Sequence, residues 1–216
     1  MRTPDSLVTL IHDAFDGNAY PGDNFLQGSY EGSEPAEIAA AFRGRDDWTS
    51  LGAAFLDKHY SALSFLSEGG FRHFLPAYLV ADVRDALETA DPLFHLTNGF
   101  ADDSVVDRRN GREFVRRWGM SCPINPRRYG AATTMDHLRY RLSVFTREEA
   151  VAIVEYLEWR LAEGRSPRDE SFIAGALTLF WRERACTAPT RAMLAEHLRE
   201  EAEYLAALRS PNNAQP

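Results

Sequence analysis

The stretch His59–Val83, HYSALSFLSEGGFRHFLPAYLVADV, decides the fold expected of this chain. Its aromatic and leucine side chains recur at intervals of three and four residues, which places them on one face of an α-helix. Ser67 precedes this pattern, and a serine hydroxyl accepts from the free N–H groups of a first helical turn. We therefore predict that the helix begins directly after Ser67. The predicted buried face comprises Phe71, Phe74, Leu75, Tyr78 and Leu79.

Pro76 lies inside this predicted helix. Proline has no backbone N–H to donate, and its ring crowds the preceding turn. We therefore expect a kink at Pro76, or a break into two short helices.

The pattern FLS-x-x-x-FR-x-x-LPAYL at Phe65–Leu79 resembles a family of uncharacterised bacterial proteins that is defined as a domain of unknown function. A second segment, Val144–Leu161 (VFTREEAVAIVEYLEWRL), is similar to a downstream segment of the same family. The resemblance covers residues 5–90 and 138–165, is poor over 98–136 and is absent after about residue 186. It implies a fold and no activity, because the family has no activity to carry over.

Composition narrows the class of protein. The chain has 216 residues, of which 44% are hydrophobic and 12% aromatic, which favours a folded domain over disorder. The net charge of −8 disfavours nonspecific binding to nucleic acid or to an anionic membrane. The two cysteines, Cys122 and Cys186, give no disulfide framework or metal-binding spacing. The N-terminus reads as an amphipathic helix and no apolar run is long enough to span a membrane, so we predict a cytoplasmic protein.

Capped segments with helical periodicity predict a mainly α fold, a single globular domain with at most a small β-hairpin near 114–145. We place the helical domain at 1–186, a variable arginine-rich insertion near 98–136, a C-terminal helix at 187–209 and a disordered tail at 210–216. Thr146 and Glu149 predict a capping box. The residues that we expect to be largely buried are Phe71, Phe74, Leu75, Leu79, Phe172, Leu177 and Trp181.

The best strand candidate is 137–145, in which apolar and polar residues alternate. We predict that it pairs with 114–120.

The candidate catalytic residues are His59, Arg72, His73 and Tyr78. Acid–base chemistry needs clustered histidines and carboxylates, but the sequence contains no metal-binding motif, phosphate loop or dinucleotide fingerprint. We therefore predict no metal and no cofactor. For His73 we favour a surface or capping histidine over a catalytic one. For Arg72 we favour an ion pair with Glu68, four residues earlier, over an anion clamp.

A basic segment with interleaved aromatic residues is the other candidate site. It spans residues 108–128 and carries seven arginines against one acid, Glu113. The alternatives are a nucleic-acid surface, an acidic protein partner and a solvated face with local ion pairs; we regard nucleic acid as the unfavoured one, since the chain is acidic overall. The candidate binding residues are Arg108, Arg109, Arg112, Arg116, Arg117, Arg127 and Arg128.

Charge is distributed unevenly along the chain. The part up to Ala101 has a net charge of −9, and residues 102–149 have a net charge of +3. Such asymmetry favours docking to a charged partner or to a second copy. We therefore predict a protein–protein interaction or accessory protein, for example of the immunity type, with a protein partner or a homo-oligomer. The alternatives are a small-molecule enzyme with a site near His59 and His73, and a nucleic-acid-binding protein. For the C-terminal helix we favour packing onto its own domain over a contact between copies.

Overall fold

The structure is a computed structural model that describes residues 2–100, 103–109, 111–118, 133–189 and 191–209. These residues form eleven α-helices and one two-stranded hairpin, so the predicted mainly α, single-domain fold is confirmed. The helices are α1 (Pro4–Phe15), α2 (Glu34–Phe42), α3 (Ala53–Lys58), α4 (Ala62–Phe65), α5 (Glu68–Val83), α6 (Pro92–Thr97), α7 (Thr134–Arg141), α8 (Arg147–Glu163), α9 (Pro167–Ala176), α10 (Arg182–Thr187) and α11 (Arg191–Arg209).

Local sequence signals set several helix starts. The Ser67 hydroxyl accepts from the N–H of Gly70 at 3.0 Å, so α5 begins where the sequence predicts. Thr146 and Glu149 form the predicted capping box at the start of α8. The side chain of Glu149 accepts from the Thr146 N–H at 2.8 Å, which satisfies a backbone donor that the helix itself leaves free.

Helix α5 lies at the centre of the core. Helices α1 and α6 pack against it, and α1 and α9 pack against α8. The indole N–H of Trp181 donates to the carbonyl of Leu96 at 2.8 Å and ties the segment after α9 to α6. The predicted core residues Phe71, Phe74, Leu75, Leu79, Leu177 and Trp181 are all buried.

Phe172 is the one incorrect member of the predicted core. It is half-buried, and the guanidinium carbon of Arg168 lies 5.6 Å from its ring centroid. Helix α9 therefore buries a narrower face than its apolar sequence indicates.

Pro76 does not divide α5, which is continuous from Glu68 to Val83. The proline leaves the carbonyl of Arg72 without the N–H that a residue four positions later would donate. The side-chain amide of Asn18 donates to that carbonyl at 2.7 Å instead. The predicted break into two short helices is therefore wrong, since a side chain from outside the helix supplies the missing hydrogen bond, and a kink at Pro76 stays a prediction.

The strand predicted at 137–145 is wrong. Thr133 accepts from the N–H of Asp136 at 3.1 Å and caps α7, and a 3₁₀ turn follows at Leu142–Val144. Leu142 and Val144 are buried together with Phe145, so their burial comes from the turn and not from a pleated strand. Tertiary packing overrides an alternating pattern of this length.

The hairpin lies earlier in the chain than predicted. Strand β1 (Asp103–Arg109) pairs with the antiparallel strand β2 (Arg112–Trp118), in a register that sets Val106 opposite Val115. Gly111 in the connection has a φ of +74°, a conformation that glycine adopts without strain. The Asn110-Gly111 dipeptide between two strand-forming runs is the sequence signal for this turn.

Helix α11 packs on its own chain, against the beginning of α5. In the described ranges, no helix has both the length and the apolar character needed to span a bilayer. The predicted tail at 210–216 lies outside those ranges, and the domain boundaries drawn from the sequence stay predictions.

Candidate functional site

His73 is buried in the core, so its prediction as a surface histidine is wrong. Its Nδ1 lies 3.1 Å from the backbone carbonyl of Asn18, and its ring packs edge-on against Tyr20 and Phe74. Burial lowers the pKa of the imidazole, which favours the neutral form. A neutral ring with its N–H at Nδ1 donates to the backbone carbonyl of Asn18. This bond helps to position Asn18, whose side-chain amide donates to the carbonyl of Arg72 that Pro76 leaves free.

Tyr78 and His59 are in contact, through the backbone of His59. The Tyr78 hydroxyl donates to the His59 carbonyl at 2.9 Å. The His59 ring packs against Phe42 and Phe55, with centroid distances of 5.7 and 4.6 Å. Burial raises the pKa of Tyr78 and lowers the pKa of His59, so both side chains are neutral near pH 7.

Arg72 pairs with Glu149 of α8 and not with Glu68. Its Nε and Nη2 donate to the two carboxylate oxygens at 2.9 and 2.6 Å, in a bidentate arrangement. Glu149 offers both carboxylate oxygens to the guanidinium, and such a two-point contact is stronger than a single i,i+4 pair on a helix surface. The same carboxylate completes the capping box of α8, so one buried group joins two helices.

Each of the four candidate catalytic side chains thus contacts another part of the protein. Arg72 bonds a carboxylate, His73 contacts a loop carbonyl, and Tyr78 bonds the backbone of His59. A groove of about 390 Å³ lies elsewhere, and its lining includes Arg2, Glu155 and Trp159. Among the described side chains, no three histidine, cysteine or acidic groups are arranged to hold a metal ion. A catalytic role for the four residues stays a prediction, and this geometry gives each of them a structural contact.

The hairpin, unlike the four buried or bonded candidates above, exposes apolar side chains to solvent. Val106 and Val115, which are opposite each other in the register, are 51% and 64% exposed. Phe114, opposite Asp107 and hence on the other face, is 52% exposed. Because alternate residues of a strand point to opposite faces, both faces of the hairpin expose apolar side chains to solvent. The sequence predicts the arginines of this segment as binding residues, whereas the exposed valines were not predicted.

Two of the predicted binding arginines have described, exposed side chains on the hairpin. Arg108 pairs with Glu113 across the strands at 2.8 Å, and Arg112 is exposed at the turn. Arg109, Arg116 and Arg117 lie on the strands, and nothing is described of their side chains. Arg127 and Arg128 lie outside the described residues. Over residues 103–118 the sequence carries five arginines and three acids, against a net charge of −8 for the whole chain.

Comparison with known protein families gives a match in the N-terminal part of the chain. A family of unknown function, DUF6714, matches residues 3–98. The match begins just before α1 and ends just after α6, so it contains α5 and excludes the hairpin. It includes the first of the two segments in which the sequence resembles a domain of unknown function, and it does not extend to the second. No curated protein and no solved structure matches the chain.

Proposed function

We propose that the chain is a bacterial, cytoplasmic accessory protein that binds another protein through its hairpin. The observation that carries this proposal is the exposure of Val106, Phe114 and Val115 on both faces of a two-stranded ribbon. A ribbon of two strands is marginal by itself and gains stability when a face or an edge is covered.

The charge of the hairpin supports a partner with an acidic surface. Arg108 and Arg112 flank the exposed apolar side chains, and the hairpin has an excess of arginine in an acidic chain. Arginine is favoured at protein interfaces because its planar group bonds carboxylates in a bidentate manner. An apolar centre with arginines beside it is the arrangement of an interface whose partner is acidic.

The test uses the full chain, tagged and expressed in its native host. Proteins that copurify are identified by mass spectrometry, and each is purified and titrated directly against the chain at about 50 and 300 mM salt. We expect an acidic protein whose affinity falls at the higher salt concentration, because screening weakens contacts between opposite charges.

A double variant, Phe114→Ser with Val115→Ser, removes exposed side chains from the hairpin and leaves the helical core unchanged. Tyr60→Ser is the matched control, because Tyr60 is similarly exposed and lies away from the hairpin in sequence. We expect the double variant to lose the partner and Tyr60→Ser to keep it. Retention of the partner by the double variant, salt-sensitive binding of nucleic acid, or a second copy as the only partner would each overturn the proposal.

A further inference from the structure

Helix α11 is held on α5 by titratable side chains. The two carboxylate oxygens of Glu201 accept from the backbone N–H groups of Glu68 and Gly69, at 2.5 and 3.1 Å. His197, one turn earlier on α11, bonds the carboxylate of Glu68 through Nε2. Leu198 of α11 also packs here, since a Cβ on Gly69 would lie 3.8 Å from one of its methyl groups; the loop after α1 covers the other side, with the Cβ of Pro21 at 3.2 Å.

The charged groups around this contact come from three helices. Helix α5 contributes Glu68, and α11 contributes His197 and Glu201. Two further groups of α11 act electrostatically at this contact: Glu200 on His197 and Tyr140, and Tyr204 on Tyr140. Helix α7 contributes Tyr140, whose ring lies 5.1 Å from that of His197, and Arg141. Arg141 donates to the carbonyl of Leu63 and lies over the ring of Phe71, and its positive charge acts on both Glu68 and Glu201.

The carboxylates of Glu68, Glu200 and Glu201 thus surround one histidine, with the guanidinium of Arg141 as the positive group beside Glu68 and Glu201. The hydrogen bond to Glu68 raises the pKa of His197 above its ordinary value of 6.5. Burial, followed by the charge of Glu68, raises the pKa of Glu201 to about 7. Burial also raises the pKa of Tyr140 to about 12, so Tyr140 stays neutral throughout the neutral range.

The sign of the pH effect is the same for both groups. A group whose pKa is higher in the docked state binds its proton more tightly there, so docking is favoured at low pH. The stabilisation of the docked state by His197 is complete below pH 6.5 and is lost as the pH rises through the raised pKa of that residue. The stabilisation of the docked state by Glu201 decreases above about pH 4.5 and is lost as the pH rises through about 7, its raised pKa. As the pH rises through these raised values, Glu201 gains a negative charge and the imidazole of His197 loses its positive charge.

We propose that this contact is a pH-sensitive latch, which docks α11 on α5 in mildly acidic conditions and releases it as the pH rises above neutrality. Release frees the Glu68 and Gly69 N–H groups at the positive end of α5 and uncovers Leu194, which is buried in the docked state. The rest of the core does not depend on the latch, because α5 remains packed against α1 and α6.

Hydrogen exchange of the full chain, read by mass spectrometry at pH 5.5, 7.0 and 8.5, tests the latch. Rates are corrected for the intrinsic effect of pH on amide exchange. We expect protection of residues 191–209 and of the amides of Glu68 and Gly69 to fall on the order of tenfold from pH 5.5 to 8.5. Protection of α8 should stay constant, which separates release of α11 from global unfolding.

Glu201→Gln removes the titrating carboxyl and keeps an oxygen that accepts from the first turn of α5. Its protection of α11 should change less than about threefold over the same range. Glu203→Gln is the matched control, because Glu203 is an exposed residue of the same helix paired with Arg199, and it should keep the wild-type response. Constant wild-type protection of α11, or an equal response in Glu201→Gln and wild type, would overturn the proposal. The wild-type series decides alone if Glu201→Gln fails to dock at any pH.

Discussion

Helix α5 and the hairpin are built from the same kinds of side chain, used in opposite ways. Phe74 on α5 is fully buried, whereas Phe114 on β2 is 52% exposed. Arg72 and Glu149 form an ion pair with side chains 12% and 2% exposed, whereas those of Arg108 and Glu113 are 79% and 59% exposed. Burial, and not residue type, separates the part of the molecule that maintains the fold from the part that is available to a partner.

The largest expected effect concerns the two phenylalanines. Phe74→Ala should lower the free energy of unfolding by about 3–5 kcal/mol, because it leaves a cavity beside Phe42 and Tyr20. Phe114→Ala should change it by less than about 0.5 kcal/mol, since the ring already contacts solvent. Urea titration followed by circular dichroism measures both, and similar losses for the two variants would remove the distinction between core and hairpin.

The two ion pairs give the next comparison. Arg72→Leu should destabilise the protein by about 3 kcal/mol, since it leaves the buried carboxylate of Glu149 with only its capping bonds. Arg108→Leu removes an exposed pair and should cost about 0–1 kcal/mol. The same urea titrations apply. A loss below about 1 kcal/mol for Arg72→Leu would show that Glu149 is solvated or protonated without its partner.

A smaller effect is expected for the hydrogen bond that Asn18 donates to the carbonyl left free by Pro76. Asn18→Ala should cost about 1–3 kcal/mol, because the carbonyl of Arg72 then loses the side-chain donor that replaces a helical N–H. Pro76→Ala restores that N–H, so Asn18→Ala should cost less in the Pro76→Ala background. A double-mutant cycle measures the coupling, and strictly additive losses would exclude a shared role.

The smallest expected effect on stability is at Arg112, on the exposed turn of the hairpin. Arg112→Glu should leave the free energy of unfolding within about 0.5 kcal/mol of wild type. It should nevertheless weaken binding to an acidic partner by reversing a charge at the interface. Isothermal titration against the identified partner checks this. Unchanged affinity would locate the interface away from the turn.

Several signals that lie within a few residues of each other predicted the structure correctly. The Ser67 cap, the Thr146–Glu149 capping box and the buried stripe of α5 depend on local spacing, which the chain carries wherever it packs. The Asn110-Gly111 dipeptide is also a hairpin signal in the sequence, but the alternating pattern at 137–145 led to a strand prediction for a segment that forms α7 and a 3₁₀ turn.

By itself, the sequence determined a mainly α protein, the start of its central helix and most of that helix's buried face. Only the tertiary structure decided that Arg72 bonds Glu149, that Asn18 repairs the helix at Pro76 and that Glu201 and His197 hold α11 on α5. These contacts join residues between 54 and 133 positions apart in the chain. A capping bond or an apolar stripe lies within one or two helical turns, whereas the partner of a buried polar group is set by which helices the packed core brings together.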